Sequence, residues 1–509
     1  MRKYLLLLLI VCSCSGNKEI ALNSISLAGE WQFRIDPSDK GISEKWYDSA
    51  FTDRVILPGS MAENGKGYDP DINTEWTGDI IDRSFFTDRK YEKYRQAGNF
   101  KVPFWLQPVK YYKGAAWYQR ELDYSPELEG KRVILNLERP HWETTVFING
   151  TKTGSENSLA VPHKYDITDY LKAGSNKISI RVDNRIVVPV GVNSHSVSDH
   201  TQSNWNGIAG DISLNLLPLV YIENIAVHPD VQKENARVIV SLINRSGKEF
   251  KGSITIGARL QNKSEKPDIS TKKVAAVSDA ENFSLVIEYP LGKNFRLWDE
   301  FSPALYNLEA SLNDENGTVI QNLDTQFGIR EFRASGTRFR INGREVFLRG
   351  TLECCIFPET GYPPTDTESW EKVLGTCREY GLNTIRFHSW CPPEAAFVAA
   401  DKLGMYFHIE CSSWANQGTA LGEGGLIDDY IYKEGDRILK AYGNHPSFCM
   451  LAYGNEPAGE KQSEYLGNLL KYWKSKDDRH LYTSAAGWPF IPENDYNLSP
   501  EPRIQRWGE

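Results

Sequence analysis

The chain has 509 residues, which is too long for one ordinary core and predicts about three domains. Its content of 40% hydrophobic and 25% charged residues is typical of a globular protein. The formal net charge of −9 offers no basic surface for phosphates, so nucleic acid is not expected as a partner. The 14 Trp and 25 Tyr fit two interpretations, because flat rings suit the C–H faces of sugars and also fill β-sheet cores.

The first 17 residues, MRKYLLLLLIVCSCSGN, are typical of an export signal. Arg2 and Lys3 precede an apolar run of about ten residues, which is too short to cross a bilayer as a stable helix. The pair Ser13-Cys14 resembles a bacterial lipoprotein box, so we expect lipidation at Cys14. The predicted location is the periplasm or the outer membrane of a bacterium, with a lipid anchor. The alternative is simple secretion after cleavage a few residues later.

Residues 18–218 alternate short apolar runs with turn signals, which predicts an all-β sandwich. In RVILNLERPHWETTVFINGTKTG, the pair Asn149-Gly150 marks a hairpin turn. Residues 60–107 interrupt the pattern, because they are rich in Gly, Asp, Arg and Tyr and show no sustained period. We expect this segment to be a functional loop or a long insertion.

Residues 219–332 predict a second β domain, in which ARVIVSLINRSG and NFSLVIEYPL alternate as strands do. The length of the stretch is typical of an immunoglobulin-like sandwich. It contains no catalytic constellation, so we expect a spacer or scaffold.

Residues 333–509 change to a strand-then-helix pattern. The strand-like runs are REVFLRGT, NTIRFHSW, MYFHIECSS, FCMLAYGNE and LYTSAAGW. The stretch between the first two, DTESWEKVLGTCREYG, has a helical period, with Asp366 near its start and Gly381 past its end. This alternation predicts a parallel sheet, most simply part of a (β/α) barrel. The whole chain is therefore predicted to be multidomain, with β domains followed by an α/β domain.

In a (β/α) barrel the active site lies where the strands end. Polar and aromatic side chains are predicted there at Arg349, His388, Trp390, Glu410, Asn455, Glu456 and Trp488. Glu456 is the candidate proton donor, and the alternative is a buried, ion-paired glutamate. Asn455 either holds a substrate hydroxyl or caps the helix that follows.

The remaining candidates have open alternatives. His388 is either a ligand-binding or a satisfied barrel histidine, and Trp390 and Trp488 are either stacking platforms or residues that pack in a lid. Arg386 is expected to steady a carboxylate inside the barrel. The cysteines of the C-terminal third show no CxxC or Cys/His spacing, so neither zinc nor a disulfide framework is supported.

The stretch GNHPSFCMLAYGNE resembles the acid/base signature of glycoside hydrolase family 2. That family includes β-galactosidases, β-glucuronidases and β-mannosidases. Further resemblances follow in the family's order: LAGEWQFRID, AAWYQRELD and WNGIAGDISL in its sugar-binding jelly roll, LWDEFSPALYNLEASL and FGIREFRASGTRFRINGREVFLRG at the exit from its immunoglobulin-like domain, and LNTIRFHSWCPPEAAFVAADKLGMYFHIE in its barrel. The resemblance implies a jelly roll, an immunoglobulin-like sandwich and a (β/α)8 barrel.

The resemblance also implies roles for individual residues. Glu456 would be the general acid/base, Asn455 would contact the sugar next to the scissile bond, and His388 would be a sugar ligand. A substrate-binding aspartate of the jelly-roll loop would correspond to position 201, where this chain has Thr; Asp199 lies nearby but off register. Some relatives use Mg²⁺ or Na⁺, but the sequence has no ligand cluster that requires a metal, so no cofactor is expected.

A retaining glycosidase needs two carboxylates about 5–5.5 Å apart. The family takes its nucleophile from the seventh barrel strand, whereas RIQRWG is at best the sixth strand here. Residues 333–509 are also fewer than the about 250 of a complete barrel. We therefore expect a truncated barrel without the nucleophile, and impaired catalytic activity of this chain.

The resemblance as a whole implies an exo-acting retaining β-glycosidase of oligosaccharides, with β-galactosidase as the first specificity. The alternatives are β-glucuronidase or β-mannosidase specificity, or a non-catalytic carbohydrate-binding protein. The sequence does not predict an oligomeric state.

Overall fold

The computed structural model describes residues 23–124, 128–197, 199, 204–261 and 269–499. Cys14 and the predicted sixth barrel strand lie outside these residues. None of the helices in the described ranges is long and apolar enough to cross a membrane.

Eleven strands form the first domain, and they are β1 (Asn23–Ser26), β2 (Gly29–Asp36), β3 (Asp53–Leu57), β4 (Gly59–Ser60), β5 (Ala115–Tyr124), β6 (Arg132–His141), β7 (Glu143–Ile148), β8 (Thr151–Glu156), β9 (His163–Asp166), β10 (Gly174–Asp183) and β11 (Gly207–Leu217). One sheet has the order β1-β11-β6-β9, with β4 on β11, and the other has the order β3-β2-β5-β10-β7-β8. Buried side chains of both sheets, such as Leu135 and Ile180, share one core. The predicted all-β sandwich is confirmed for this domain.

The β7–β8 hairpin turns at the predicted Asn149-Gly150 pair. Ile148 pairs with Thr151, and the two turn residues have φ of 50° and 81°. Asn and Gly are the residues that adopt this left-handed conformation most readily, which explains why they occupy the turn.

The insertion, residues 60–107, forms its own small apolar cluster. It contains helix α1 (Ser84–Thr87) and short 3₁₀ turns, and its buried members include Trp76, Phe85 and Phe100. A backbone bridge between Tyr68 and Tyr111 ties the segment to the chain beyond it. The insertion is therefore a packed unit without strands beyond β4.

Seven strands form the second domain, and they are β12 (Val220–Asp230), β13 (Asn235–Asn244), β14 (Phe250–Leu260), β15 (Ile269–Ser278), β16 (Asn282–Pro290), β17 (Leu305–Asp314) and β18 (Val319–Gly328). Sheets of order β12-β13-β16 and β15-β14-β17-β18 enclose a second core. The two sequence runs predicted as strands are β13 and β16. A small antiparallel sheet follows, formed by β19 (Phe332–Ser335), β20 (Arg338–Ile341) and β21 (Arg344–Val346).

The third part alternates strands and helices as predicted. Its elements are β22 (Gly350–Glu353), α2 (Thr367–Glu379), β23 (Thr384–Phe387), α3 (Glu394–Leu403), β24 (Tyr406–Glu410), α4 (Leu426–Tyr442), β25 (Phe448–Ala452), α5 (Gln462–Lys476) and β26 (Leu481–Thr483). All five strands are parallel and lie in sequence order. Asp366 caps α2 by accepting a 2.8 Å hydrogen bond from the Ser369 N–H, as expected of an N-cap. The carboxyl ends of β22 to β26 therefore meet at one edge.

Candidate active site

The backbone around Glu456 is fixed between the extensions of two neighbouring strands. Asn455 forms parallel bridges with Trp414 beyond β24 and with Ala486 beyond β26. The Glu456 N–H donates to the Ala486 carbonyl at 2.9 Å. Glu456 has φ of 32°, a conformation that is costly for a non-glycine residue and that recurs at functional sites. The preceding Gly454 is also required, since a Cβ there would lie 2.4 Å from the Ser413 carbonyl oxygen.

Two N–H donors hold one oxygen of the Glu456 carboxylate. Trp414 Nε1 donates to Oε2 at 2.9 Å, and Asn416 Nδ2 donates to the same atom at 3.0 Å. The Glu456 side chain is half-buried. Because both donors act on Oε2, Oε1 is the atom that can carry a transferable proton. The contacts therefore fix the orientation of the Glu456 carboxylate at the strand ends.

Arg386 steadies a carboxylate, as predicted, and that carboxylate is Glu410. Arg386 Nε lies 2.5 Å from Glu410 Oε1, and its second nitrogen donates to Asn455 Oδ1 at 2.7 Å. The Ser389 N–H donates to Glu410 Oε2 at 2.6 Å. Burial opposes ionisation of Glu410, but Arg386 and His408 outweigh it and hold the pKa of Glu410 below its usual range. Glu410 is therefore an ionised anchor that positions Arg386 and, through it, Asn455.

The Arg386 contact also shows which part of Asn455 is free to bind a ligand. Its side-chain oxygen accepts from Arg386, so its Nδ2 is the group that can donate to a substrate hydroxyl. Asn455 lies in the extended segment between its two bridges and does not cap a helix.

Two histidines from different domains meet beside Trp414. The rings of His195 and His388 lie 4.9 Å apart, and the rings of His388 and Trp414 lie 4.7 Å apart. Burial lowers the pKa of His195 to about 3 and also lowers the pKa of His388. Both rings are therefore neutral at pH 7 and suited to hydrogen bonds with uncharged groups. The first domain thus contributes His195 to the site.

Glu353, at the end of β22, is a further carboxyl group near these residues. Its Oε2 accepts from the Cys355 N–H at 3.0 Å. Burial raises the pKa of Glu353 to about 7, against the opposing effect of the backbone N–H groups of residues 354–356. Glu353 is not among the residues predicted from the sequence, although its position at the end of the strand-like run REVFLRGTLE is a usable signal.

Two predicted residues lie elsewhere and are corrected. Trp390 is 0% exposed and belongs to the core, where it packs on Phe387 at 5.3 Å and donates to the Glu353 carbonyl. It therefore offers no face to a sugar. Arg349 precedes β22 and bonds the Gly381 carbonyl at 2.7 Å, which places it at the opposite end of the strand.

Trp488 and Asp199 remain accessible candidates with different surroundings. Trp488 is 40% exposed, and its neighbour Gly487 lies close enough to Glu456 that a Cβ at 487 would be 3.2 Å from the Glu456 Cγ. Asp199 Oδ2 accepts from the Tyr111 hydroxyl at 3.0 Å, beside the insertion. The structure thus brings Trp488 to Glu456 and brings Asp199 to the insertion.

The residues N-H-P-S upstream of β25 connect the domains. Asn444 accepts from the Val227 N–H at 2.8 Å and donates to the Ile225 carbonyl at 2.7 Å, both in the second domain. His445 Nδ1 lies 2.6 Å from the buried Asp401 Oδ2. These residues therefore hold the start of β25 in position and do not contact the site.

One group of described side chains has the spacing of metal ligands. The ligand atoms of His228, Asp477 and Asp478 lie within 4.8 Å of one another, at the junction of the second and third domains. The guanidinium of Arg237 contacts both His228 and Asp478. The positive charge of Arg237 already lies beside these side chains and would repel a metal ion, so the group does not fit a metal site.

Two family models match the chain. Residues 78–218 match "Glycosyl hydrolases family 2, sugar binding domain", and residues 220–330 match "Glycosyl hydrolases family 2".

Relatives with known names extend over the third part of the chain as well. A β-galactosidase of Halalkalibacterium halodurans is 21% identical over 90% of this chain and 43% of its own length. A β-glucuronidase of Bacteroides fragilis is 26% identical over 76% of this chain and 57% of its own length. The crystal structure of a Bacteroides uniformis β-glucuronidase superposes with a TM-score of 0.69 and 19% identity, over 91% of this chain and 52% of that one. The chain thus spans about half the length of these relatives.

Proposed function

Because the chain belongs to glycoside hydrolase family 2, we propose that it carries the acid/base part of an exo-acting, retaining β-glycosidase. The substrates are oligosaccharides with terminal β-linked sugars, and the reaction is hydrolysis of the O-glycosidic bond. The observation that carries the proposal is the fixed Oε2 of Glu456, held by Trp414 and Asn416 at the edge where the parallel strands end.

In this reaction Glu456 acts twice. Its Oε1 first gives a proton to the leaving oxygen, and the resulting carboxylate then takes a proton from the attacking water. Asn455 donates from Nδ2 to a hydroxyl of the bound sugar, and the neutral His388 hydrogen-bonds a second hydroxyl. Among the described residues, we assign no nucleophile, since Glu410 is fully buried and ion-paired with Arg386.

The architecture of the third part supports this assignment of roles. We propose that β22 to β26 are consecutive strands of a (β/α)8 barrel and that the first domain is the family's jelly roll. The parallel order and the shared carboxyl edge support the barrel, because that edge carries the active site of such enzymes.

The sugar is proposed to be neutral, with β-galactosides first. A uronate would need a free cation, and the Arg386 guanidinium is already shared between Glu410 and Asn455. β-Glucuronidase specificity is the second candidate, because several similar proteins bear that name. β-Mannosidase specificity is the third.

The experiment is an assay of the purified protein and of its Glu456→Gln variant. Aryl β-galactoside, β-glucuronide and β-mannoside are compared with the corresponding β-linked disaccharides. Loss of acid assistance is expected to cost about 10²–10⁴-fold on disaccharides and much less on aryl glycosides, whose leaving groups need little protonation. Glu464→Gln, an exposed glutamate on α5, is the control. Equal losses on both substrate types would refute the acid/base role, and sugar binding without turnover would favour a carbohydrate-binding protein.

We also propose that the protein is exported and anchored by lipid at Cys14. The basic start, the short apolar run and the Ser13-Cys14 pair support this location. Incorporation of a labelled fatty acid in the bacterial host is expected to disappear in Cys14→Ala, and unchanged labelling would refute the anchor.

A further inference from the structure

A cavity of about 330 Å³ lies where the insertion, the first domain and the loop after β22 meet. Its walls include Trp105 of the insertion, Asp199 and Trp205 of the first domain, and residues 357–361 of the loop. We propose that this cavity binds the sugar unit on the leaving-group side of a neutral β-linked oligosaccharide. The inference rests on the proposed function, because it places the scissile bond at Glu456.

The aromatic part of the wall is held in place by packing. Trp105 is half-buried and stacks on Trp76, with ring centroids 6.4 Å apart and planes only 8° from parallel. Trp76 is 2% exposed within the apolar cluster of the insertion. Trp205, which also lines the cavity, has its ring 5.2 Å from that of Tyr362. A pre-positioned indole face gives apolar contact to the C–H face of a pyranose at little entropic cost.

The polar part of the wall consists of hydrogen-bond acceptors. Asp199 Oδ2 accepts from the Tyr111 hydroxyl at 3.0 Å, and the Asn204 side chain also hydrogen-bonds this carboxylate. A carboxylate has about four lone-pair sites, so Asp199 can still accept from a ligand hydroxyl. Glu63 Oε1 accepts from the Tyr362 hydroxyl at 3.1 Å, so the cavity wall is tied across two domains. Sugar hydroxyls are donors that match such carboxylates.

The charges of the wall favour a neutral ligand. Glu63, Asp199 and Glu359 bring three carboxylates, whereas Lys66 and Lys110 form ion pairs with Asp53 and Asp69. Among the described wall residues, both lysines are paired, so a uronate or sulfate on this sugar unit would face the carboxylates. The cavity therefore selects uncharged sugars.

The segment that contains Val190, His195 and Asp199 connects residues close to Glu456 with this cavity. The Val190 carbonyl accepts from the Trp414 N–H at 2.9 Å, and a Cβ at Gly191 would lie 1.8 Å from the Trp414 carbonyl oxygen. His195 then contacts His388, and Asp199 follows in the cavity wall. The leaving sugar, attached to the oxygen that Glu456 would protonate, would extend along this path. The competing explanation is a packing gap without a ligand.

The test is calorimetric titration, with Glu456→Gln as the background so that no ligand is consumed. The probes are β-linked galactobiose, cellobiose and mannobiose, each compared with its monosaccharide, and a disaccharide with a uronic acid at the leaving-group position. We expect at least one neutral disaccharide to bind about tenfold or more tightly than its monosaccharide. Trp105→Ala and Asp199→Asn should remove most of that gain and leave monosaccharide affinity unchanged.

Controls separate the cavity from other causes. Tyr380→Ala removes an exposed aromatic ring on another surface and should change neither affinity. Trp105→Phe keeps an aromatic face and should retain part of the gain, and thermal unfolding of each variant checks the fold. The proposal is overturned if no neutral disaccharide binds more tightly than its monosaccharide, if the uronate disaccharide gains equally, or if Trp105→Ala and Asp199→Asn leave the gain intact. Because the readout is binding, this result does not depend on whether the protein hydrolyses the disaccharide, so it can fail or succeed independently of the proposed function.

Discussion

The indole Nε1 of Trp414 lies 2.9 Å from Oε2 of Glu456, although the two residues are 42 positions apart in the chain. The contact joins the segment after β24 to the segment after β25. Removing it in Trp414→Phe should let the Glu456 carboxylate rotate, which lowers proton transfer to the leaving oxygen. We expect kcat/KM on disaccharides to fall about tenfold, a part of the 10²–10⁴-fold that acid catalysis contributes, with a smaller change on aryl glycosides.

A matched control exists for this substitution. Trp46 Nε1 donates to Glu44 Oε2, also at 2.9 Å, in the first domain. Trp46→Phe removes the same type of hydrogen bond away from the site and should leave the ratio of the two substrate classes unchanged. If Trp414→Phe and Trp46→Phe gave the same ratio, Trp414 would have no role in positioning Glu456.

The site residues that directly follow a strand could be predicted from the sequence. Glu456, Asn455 and His388 follow runs of apolar residues, and the parallel order of the strands brings them together without further information. The position of Arg386 inside a strand also predicted that its partner is a carboxylate, since a buried guanidinium requires a negative charge beside it.

The site residues that could not be predicted from the sequence are brought to the site by the tertiary fold, from irregular segments or from another domain. Trp414 and Asn416 lie in an irregular segment whose direction no period encodes, and His195 reaches the site from another domain. Trp390 was misassigned because it lies two residues beyond His388, where the chain has already turned and the side chain points into the core. Beyond the end of a strand, packing sets the direction of a side chain, so the alternation of side chains along the strand no longer predicts it.

The two tryptophans predicted together should respond differently to truncation. Trp390→Ala empties a filled part of the core and should cost about 3–5 kcal/mol in the free energy of unfolding. Trp488→Ala, at a half-exposed position, should cost less than about 1 kcal/mol and instead weaken sugar binding. Denaturant unfolding and calorimetric titration check the two effects. A stable Trp390→Ala protein with reduced sugar affinity would contradict the placement of Trp390 in the core.

Asn444 provides a test of the link between the second and third domains. Asn444→Ala removes its hydrogen bonds to Val227 and Ile225 and leaves backbone groups without partners, which should cost about 1–3 kcal/mol. Limited proteolysis should then cut between the domains faster than in the unsubstituted protein. Asn316→Ala, an exposed turn residue, is the control. Unchanged cleavage and stability would show that the N-H-P-S residues do not hold the domains together.

The ion pair of Arg386 and Glu410 should make stability depend on pH in a definite direction. The folded-state pKa of Glu410 lies below its unfolded value of about 4.3, so the pair stabilises the fold above that value. This contribution is lost as pH falls through the folded-state pKa. Arg386→Met leaves the fully buried Glu410 unpaired and should cost about 3–5 kcal/mol at pH 7. Protonation relieves the uncompensated charge, so the penalty should shrink as pH falls toward 4. Denaturant unfolding of both proteins between pH 4 and 7 measures the difference. A penalty that stayed constant or grew on acidification would show that Glu410 is not held as a carboxylate by Arg386.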